Sequence, residues 1–138
     1  MDLSVCINEA DWFLHFAEQI NNLDDIICGG IYPFVVNSAF ACELYIKAIL
    51  ICNSNNNKIE KGHDLKKLFE TLSVEVQSNI KATFNRKKVG NLDAILPEIN
   101  TAFIDWRYAY EKAVNINLSG IQALAKSLKE YVDKDIRK

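Results

Sequence analysis

Residues 31–52 read IYPFVVNSAFACELYIKAILIC, twenty-two positions with three residues, Asn37, Glu43 and Lys47, that would be costly in a membrane. The stretch is apolar almost all round. A helix of that kind belongs at the centre of a bundle, covered by neighbours on several sides, so the whole fold turns on whether the rest of the chain supplies those neighbours. Pro33 is acceptable in a first turn, and Cys28-Gly29-Gly30 breaks whatever precedes it, which predicts a helix opening near Pro33 and running to about Cys52.

The neighbours are readable. From Ser4 to about Asp25, Val5, Trp12, Phe13, Phe16, Ile20 and Leu23 recur at three- and four-residue steps, with Asn8, Asp11, His15, Glu18 and Asn22 opposite. This predicts an amphipathic helix with the aromatic stripe inward, and with His15 solvated in an exposed pair with Asp11. Asn53 to Gly62 is asparagine-rich and without periodicity, the clearest loop. Asp64 suits a helix N-terminus, followed by Leu65, Leu68, Phe69 and Leu72. Ser73 can cap a further helix with Val76, Ile80 and Phe84 inward, ending in Arg86-Lys87-Lys88 before Gly90, where cations offset the helix dipole. Asn91 to about Lys112 holds another helix, with Ile99, Phe103, Trp106 and Tyr110 on one stripe and Pro97 expected to break or kink its start. The last begins near Leu118 or Ser119 and buries Ile121, Leu124, Leu128 and Val132. The expected fold is all-α, an antiparallel bundle of five or six helices in a single domain over 1–138.

Composition agrees. Five glycines and two prolines in 138 residues are too few turn markers for a many-stranded sheet. Sixteen basic against eighteen acidic residues exclude a protein that grips nucleic acid by bulk charge. Cys6, Cys28, Cys42 and Cys52 show no metal-ligand spacing and read as reduced, with Cys42 and Cys52 acting as small hydrophobes. The N-terminus lacks a signal-peptide layout, so a cytoplasmic location is expected, with no membrane as partner.

Two polar constellations stand out. Glu43 and Lys47 lie four apart in the order that suits a helical ion pair, inside apolar surroundings, as a register-fixing pair or as one wall of a polar pocket. Arg107 precedes Glu111 by four with Tyr108 alongside, a planar fork beside a stacking surface that suits a phosphate, a nucleotide or single-stranded RNA as well as it suits an intrahelical salt bridge. His63, at the start of a helix, fits a capping role. No phosphate loop, no H-E-x-x-H, no G-x-S-x-G and no acidic metal motif occurs, so no cofactor and no metal is expected.

Asn37 to Leu50 with its E-L-x-x-K, Gly62 to Phe69 with its H-x-L, and Ala102 to Glu111 with its R-Y together resemble the HEPN domain, the higher eukaryotes and prokaryotes nucleotide-binding superfamily, from about Tyr32 to the C-terminus. The resemblance implies a helical bundle that commonly dimerises and is encoded beside nucleotidyltransferases, toxin–antitoxin modules and phage-defence systems. It also implies a polar cluster of Glu43, Lys47, His63, Arg107 and Tyr108, to which Glu111, four residues after Arg107, is added as a candidate by its spacing. Many members are metal-independent ribonucleases whose signature is an arginine, four to six residues and a histidine. Here both histidines, His15 and His63, precede all three arginines, Arg86, Arg107 and Arg137, so the signature is absent. The expected function is a homodimeric binding or adaptor protein that engages a nucleotide, RNA or a partner such as a nucleotidyltransferase. The alternatives are a ribonuclease toxin in which His63 and Arg107 meet in space, and a purely structural oligomerisation domain.

Overall fold

The computed structural model describes residues 2–20, 30–53, 64–99 and 118–137. They form six α-helices and no strand: α1 (Leu3–Glu18), α2 (Ile31–Cys52), α3 (Leu65–Glu70), α4 (Val74–Arg86), α5 (Leu92–Ile99) and α6 (Leu118–Tyr131), the last running into a π-helical turn, Val132–Ile136. The protein is an all-α bundle.

Three of the starts are written locally. The Asp2 carboxylate accepts from the backbone N–H groups of Ser4 and Val5, Asp64 from that of Lys67, and the Ser73 hydroxyl from that of Val76, each satisfying donors that a first turn leaves open. α2 is central, packed by α1, α3, α6 and the terminal turn, and α6 is the second hub, against α4 and α5. Twelve of the twenty-two residues of α2 are buried, among them Tyr45, Ile46 and Ile49 with no exposed surface. Each such apolar side chain contributes about 1.5–3 kcal/mol on leaving water, which accounts for a long apolar helix inside a bundle. α2 is long and apolar enough to cross a membrane, and 72% of its most apolar window is covered by the rest of the chain. α4 buries Val76, Ile80 and Phe84, as its spacing predicts.

The first helix differs from its sequence reading. Its buried face is Cys6, Ile7, Ala10, Leu14 and Ala17, whereas Val5, Trp12 and Phe16 face solvent; Phe13 alone of the helix's aromatic residues packs inward, stacked on Phe40 with ring centroids 5.0 Å apart. The physical reason is approach distance. Alanine and cysteine at 6, 10 and 17 let α1 lie close against the alanine-rich α2, a gain in packing that the larger rings would forfeit. α1 also ends at Glu18, and residues 21–29 of its expected extension to Asp25 lie outside the described residues. Cys52 is exposed at the end of α2 and is no core residue, while Cys6 and Cys42 are buried; all three are free thiols.

Pro97 does not break α5, which is helical from Leu92 through Ile99. Its ring lies on the exposed side, as does Asp93, whose carbonyl loses the amide partner, so the solvent side of the helix absorbs the defect. The rest of that expected helix, 100–112, falls outside the described residues. Between α4 and α5, Gly90 takes a φ of 137°, and a Cβ there would stand 2.6 Å from Ile95 Cδ1. Only glycine fits both conditions. Gly90→Ala is therefore expected to lower the unfolding free energy by about 1–3 kcal/mol, read as a shift of the urea midpoint at unchanged slope.

Candidate functional site

Of the residues singled out in the sequence, Glu43 and Lys47 are described and meet: Lys47 Nζ donates to Glu43 Oε1 at 2.6 Å, with side chains 8% (Glu43) and 19% (Lys47) exposed. The spacing on α2 dictates the contact, and burial makes each charge depend on the other. The pair lies in the wall of the central helix, within one helical turn. His63, Arg107, Tyr108 and Glu111 lie outside the described residues.

A second polar assembly lies where sequence reasoning placed only a solvated stripe. Asp11, on α1, accepts from the Tyr45 hydroxyl at 2.5 Å and from Arg137 Nη2 at 2.7 Å, and Lys129 Nζ stands 3.5 Å from it. Lys129 and Arg137 are shared with Asp133 at 3.0 and 3.1 Å. The network ties α1, α2, α6 and the terminal turn at one corner. Burial alone would raise the Asp11 carboxyl, but the hydrogen bonds from Tyr45 and Arg137 and the charge of Lys129 outweigh it and hold the group below its ordinary value. Burial, with Asp11 beside it, pushes the Tyr45 phenol far upward, so the phenol stays a proton donor. Among the described residues His15 forms no ion pair with Asp11; its ring packs edge-on against Trp12 at 5.7 Å and beside Phe16 at 5.9 Å.

That corner opens onto the outer face of α1. Trp12 is 61% exposed, Phe16 53% and Val5 49%, and the Trp12 and Phe16 rings stack 5.8 Å apart. Beside them is a hollow of about 370 Å³ lined by Asn8, Asp11, Trp12 and His15. Water-facing rings in such a row are the mark of an interaction surface, since isolated exposed apolar residues are common and contiguous ones are not. A larger hollow, about 480 Å³ and lined in part by Asn53, Glu75, Tyr131 and Asp135, lies at the C-terminal end of α2. Burial and the neighbouring Asp135, Cys52 and Glu75 raise its Tyr131 phenol.

Burial also governs the reactive groups among the described residues. Burial raises the Cys6 thiol to about 11 and drives Cys42 up further, so neither is a thiolate nucleophile near neutral pH. No group of three or more His, Cys, Asp and Glu among them is placed to hold a metal ion. The signal for the Asp11 corner was present in the sequence only as the small-residue line Cys6, Ala10, Ala17, which turns Asp11 toward Tyr45 once it is taken as the buried face. No family model, no curated protein and no solved structure matches the chain.

Two outcomes follow from this geometry. Lys47→Met, which strips the ammonium from a carboxylate 8% exposed, is expected to cost at least about 2 kcal/mol in urea unfolding. For Asp11, a folded-state value below the ordinary 3.8 means stabilisation present above that pH and lost as the pH falls through the folded value. Wild type should therefore exceed Asp11→Asn in stability at pH 6, with the gap closing below pH 3.8 in denaturation curves taken across the acid range.

Proposed function

We propose that the chain is a HEPN-like helical binding or adaptor protein, homodimeric, of the kind found in toxin–antitoxin or defence modules, and that it engages a nucleotide, an RNA or a partner protein such as a nucleotidyltransferase. The observation that carries this reading is the outward row of rings on α1 with the hollow beside Trp12, a surface suited to recognition. The missing arginine-to-histidine signature supports it too.

The test is incubation of the purified chain with single-stranded and structured RNA, alongside Arg107→Ala and His63→Ala. Intact RNA, with retention of RNA or nucleotide weakened by Arg107→Ala, is the expected result. Cleavage lost in both variants would replace the reading with a ribonuclease toxin. No ligand retention, with Arg107→Ala changing stability alone, leaves a partner protein as the only binding target, and failure to capture any such partner would reduce the chain to a structural oligomerisation domain.

A further inference from the structure

The hollow of about 480 Å³ at the C-terminal end of α2 differs from the Asp11 corner in that its polar groups are uncommitted. Glu75 and Asn79 line it from α4, Tyr131 from the end of α6 and Asp135 from the terminal turn. Among the described residues none of these four side chains makes a hydrogen bond or an ion pair, whereas Asp11, Lys129, Asp133 and Arg137 are all matched.

Charge selects what the hollow can take. Its described lining holds two carboxylates and no lysine, arginine or histidine. Asn53 stands at the C-terminal cap of α2, whose last turn carries no basic residue, so the partial negative charge of that helix end adds to the carboxylates. The partial positive charge at the start of α4 is answered by Glu75 in its first turn, and the Ser73 hydroxyl is spent on the Val76 N–H. Asp135 and Glu75 both act on the Tyr131 phenol and help burial raise it, so the ring stays neutral and both carboxylates address one region. An anion placed there would meet two like charges, and a cation would meet two opposite ones.

Size and lining then separate a metal ion from an organic cation. No three His, Cys, Asp or Glu side chains among the described residues stand together as a metal site, and the volume is that of a pocket for a small organic molecule. Val76 and Tyr131 supply an apolar wall, and a phenol ring attracts an ammonium group through its quadrupole. The carboxylates come from two elements, α4 and the terminal turn, which suits a ligand with a cationic group at each end of a carbon chain.

We propose that this hollow binds an aliphatic diamine or polyamine, its ammonium groups beside Glu75 and Asp135 and its carbon chain over Val76 and Tyr131. The site takes no described residue from α1 and stands independently of the adaptor reading.

The probes are putrescine and spermidine, titrated into the whole chain at physiological salt by isothermal calorimetry, with butanediol as the uncharged analogue of putrescine. Saturable one-to-one binding of spermidine, weaker binding of putrescine and none of butanediol is the expected result. Glu75→Gln/Asp135→Asn should weaken spermidine at least about tenfold. Tyr131→Leu should weaken it about threefold, and Tyr131→Phe, which keeps the ring, should leave it unchanged. Glu9→Gln/Glu18→Gln removes the same charge from α1 and should also change nothing. Glu75 and Asp135 are exposed and Tyr131 is partly so, and thermal unfolding followed by circular dichroism should show every variant folded. Four outcomes overturn the proposal: no saturable binding by wild type, equal binding by the Glu75/Asp135 variant, an equal loss in the Glu9/Glu18 variant, or displacement of spermidine by magnesium chloride at matched ionic strength.

Discussion

Close contact between α1 and α2 is the constraint on which the rest of the structure depends. α2 is too apolar to stand in water and too long to be hidden by one neighbour, so every other described element is arranged to cover it or to cover what covers it. α1 does so over most of its length, through Cys6, Ala10, Leu14 and Ala17. Small side chains there bring two backbones together, and the Cys6 thiol lies 3.1 Å from the Leu44 carbonyl as a result. The same contact sets the rotation of α1. Once Ala10 and Ala17 face inward, Asp11 is carried to the corner where Tyr45 and Arg137 reach it, and Trp12 and Phe16 are carried outward.

The packed core and the exposed aromatic row are therefore two consequences of one rotation. Closing the core with small residues leaves the bulky apolar residues of α1 in water, a cost that a solvated helix would avoid by placing polar residues there. The Asp11 network serves the same end: it pins the chain terminus across the α1–α2 contact, with Arg137 and Lys129 neutralising the carboxylate that would otherwise sit half-buried beside a phenol. The Glu43–Lys47 pair does comparable work within α2, where an unpaired charge would be strongly unfavourable.

Much of the helical layout was legible in the residues. Asp64 and Ser73 mark the starts of α3 and α4 by the chemistry of side-chain caps, and Val76, Ile80 and Phe84 mark the inward stripe of α4 by period alone, because these are local properties. α5 resisted the same reading, since Pro97 looks like a break wherever its neighbours are unknown and is tolerated where its ring points to solvent. Of the candidate polar cluster, the Glu43–Lys47 contact was legible because four residues along a helix bring side chains together regardless of the fold. The Asp11 corner was not, because its partners come from positions 45, 129 and 137, and no period along the chain relates them.

The sequence by itself determined that this protein is helical, that residues 31–52 are its centre and where several helices begin, since periodicity, caps and an apolar run act over a few residues. The tertiary structure decided which face of α1 is buried. Two stripes compete on that helix, one large and aromatic, one small and tight, and hydrophobicity favours the first while backbone approach favours the second. Only the presence of α2, with alanines of its own at 39, 41 and 48, settles the contest in favour of the small residues and leaves Trp12 and Phe16 facing outward.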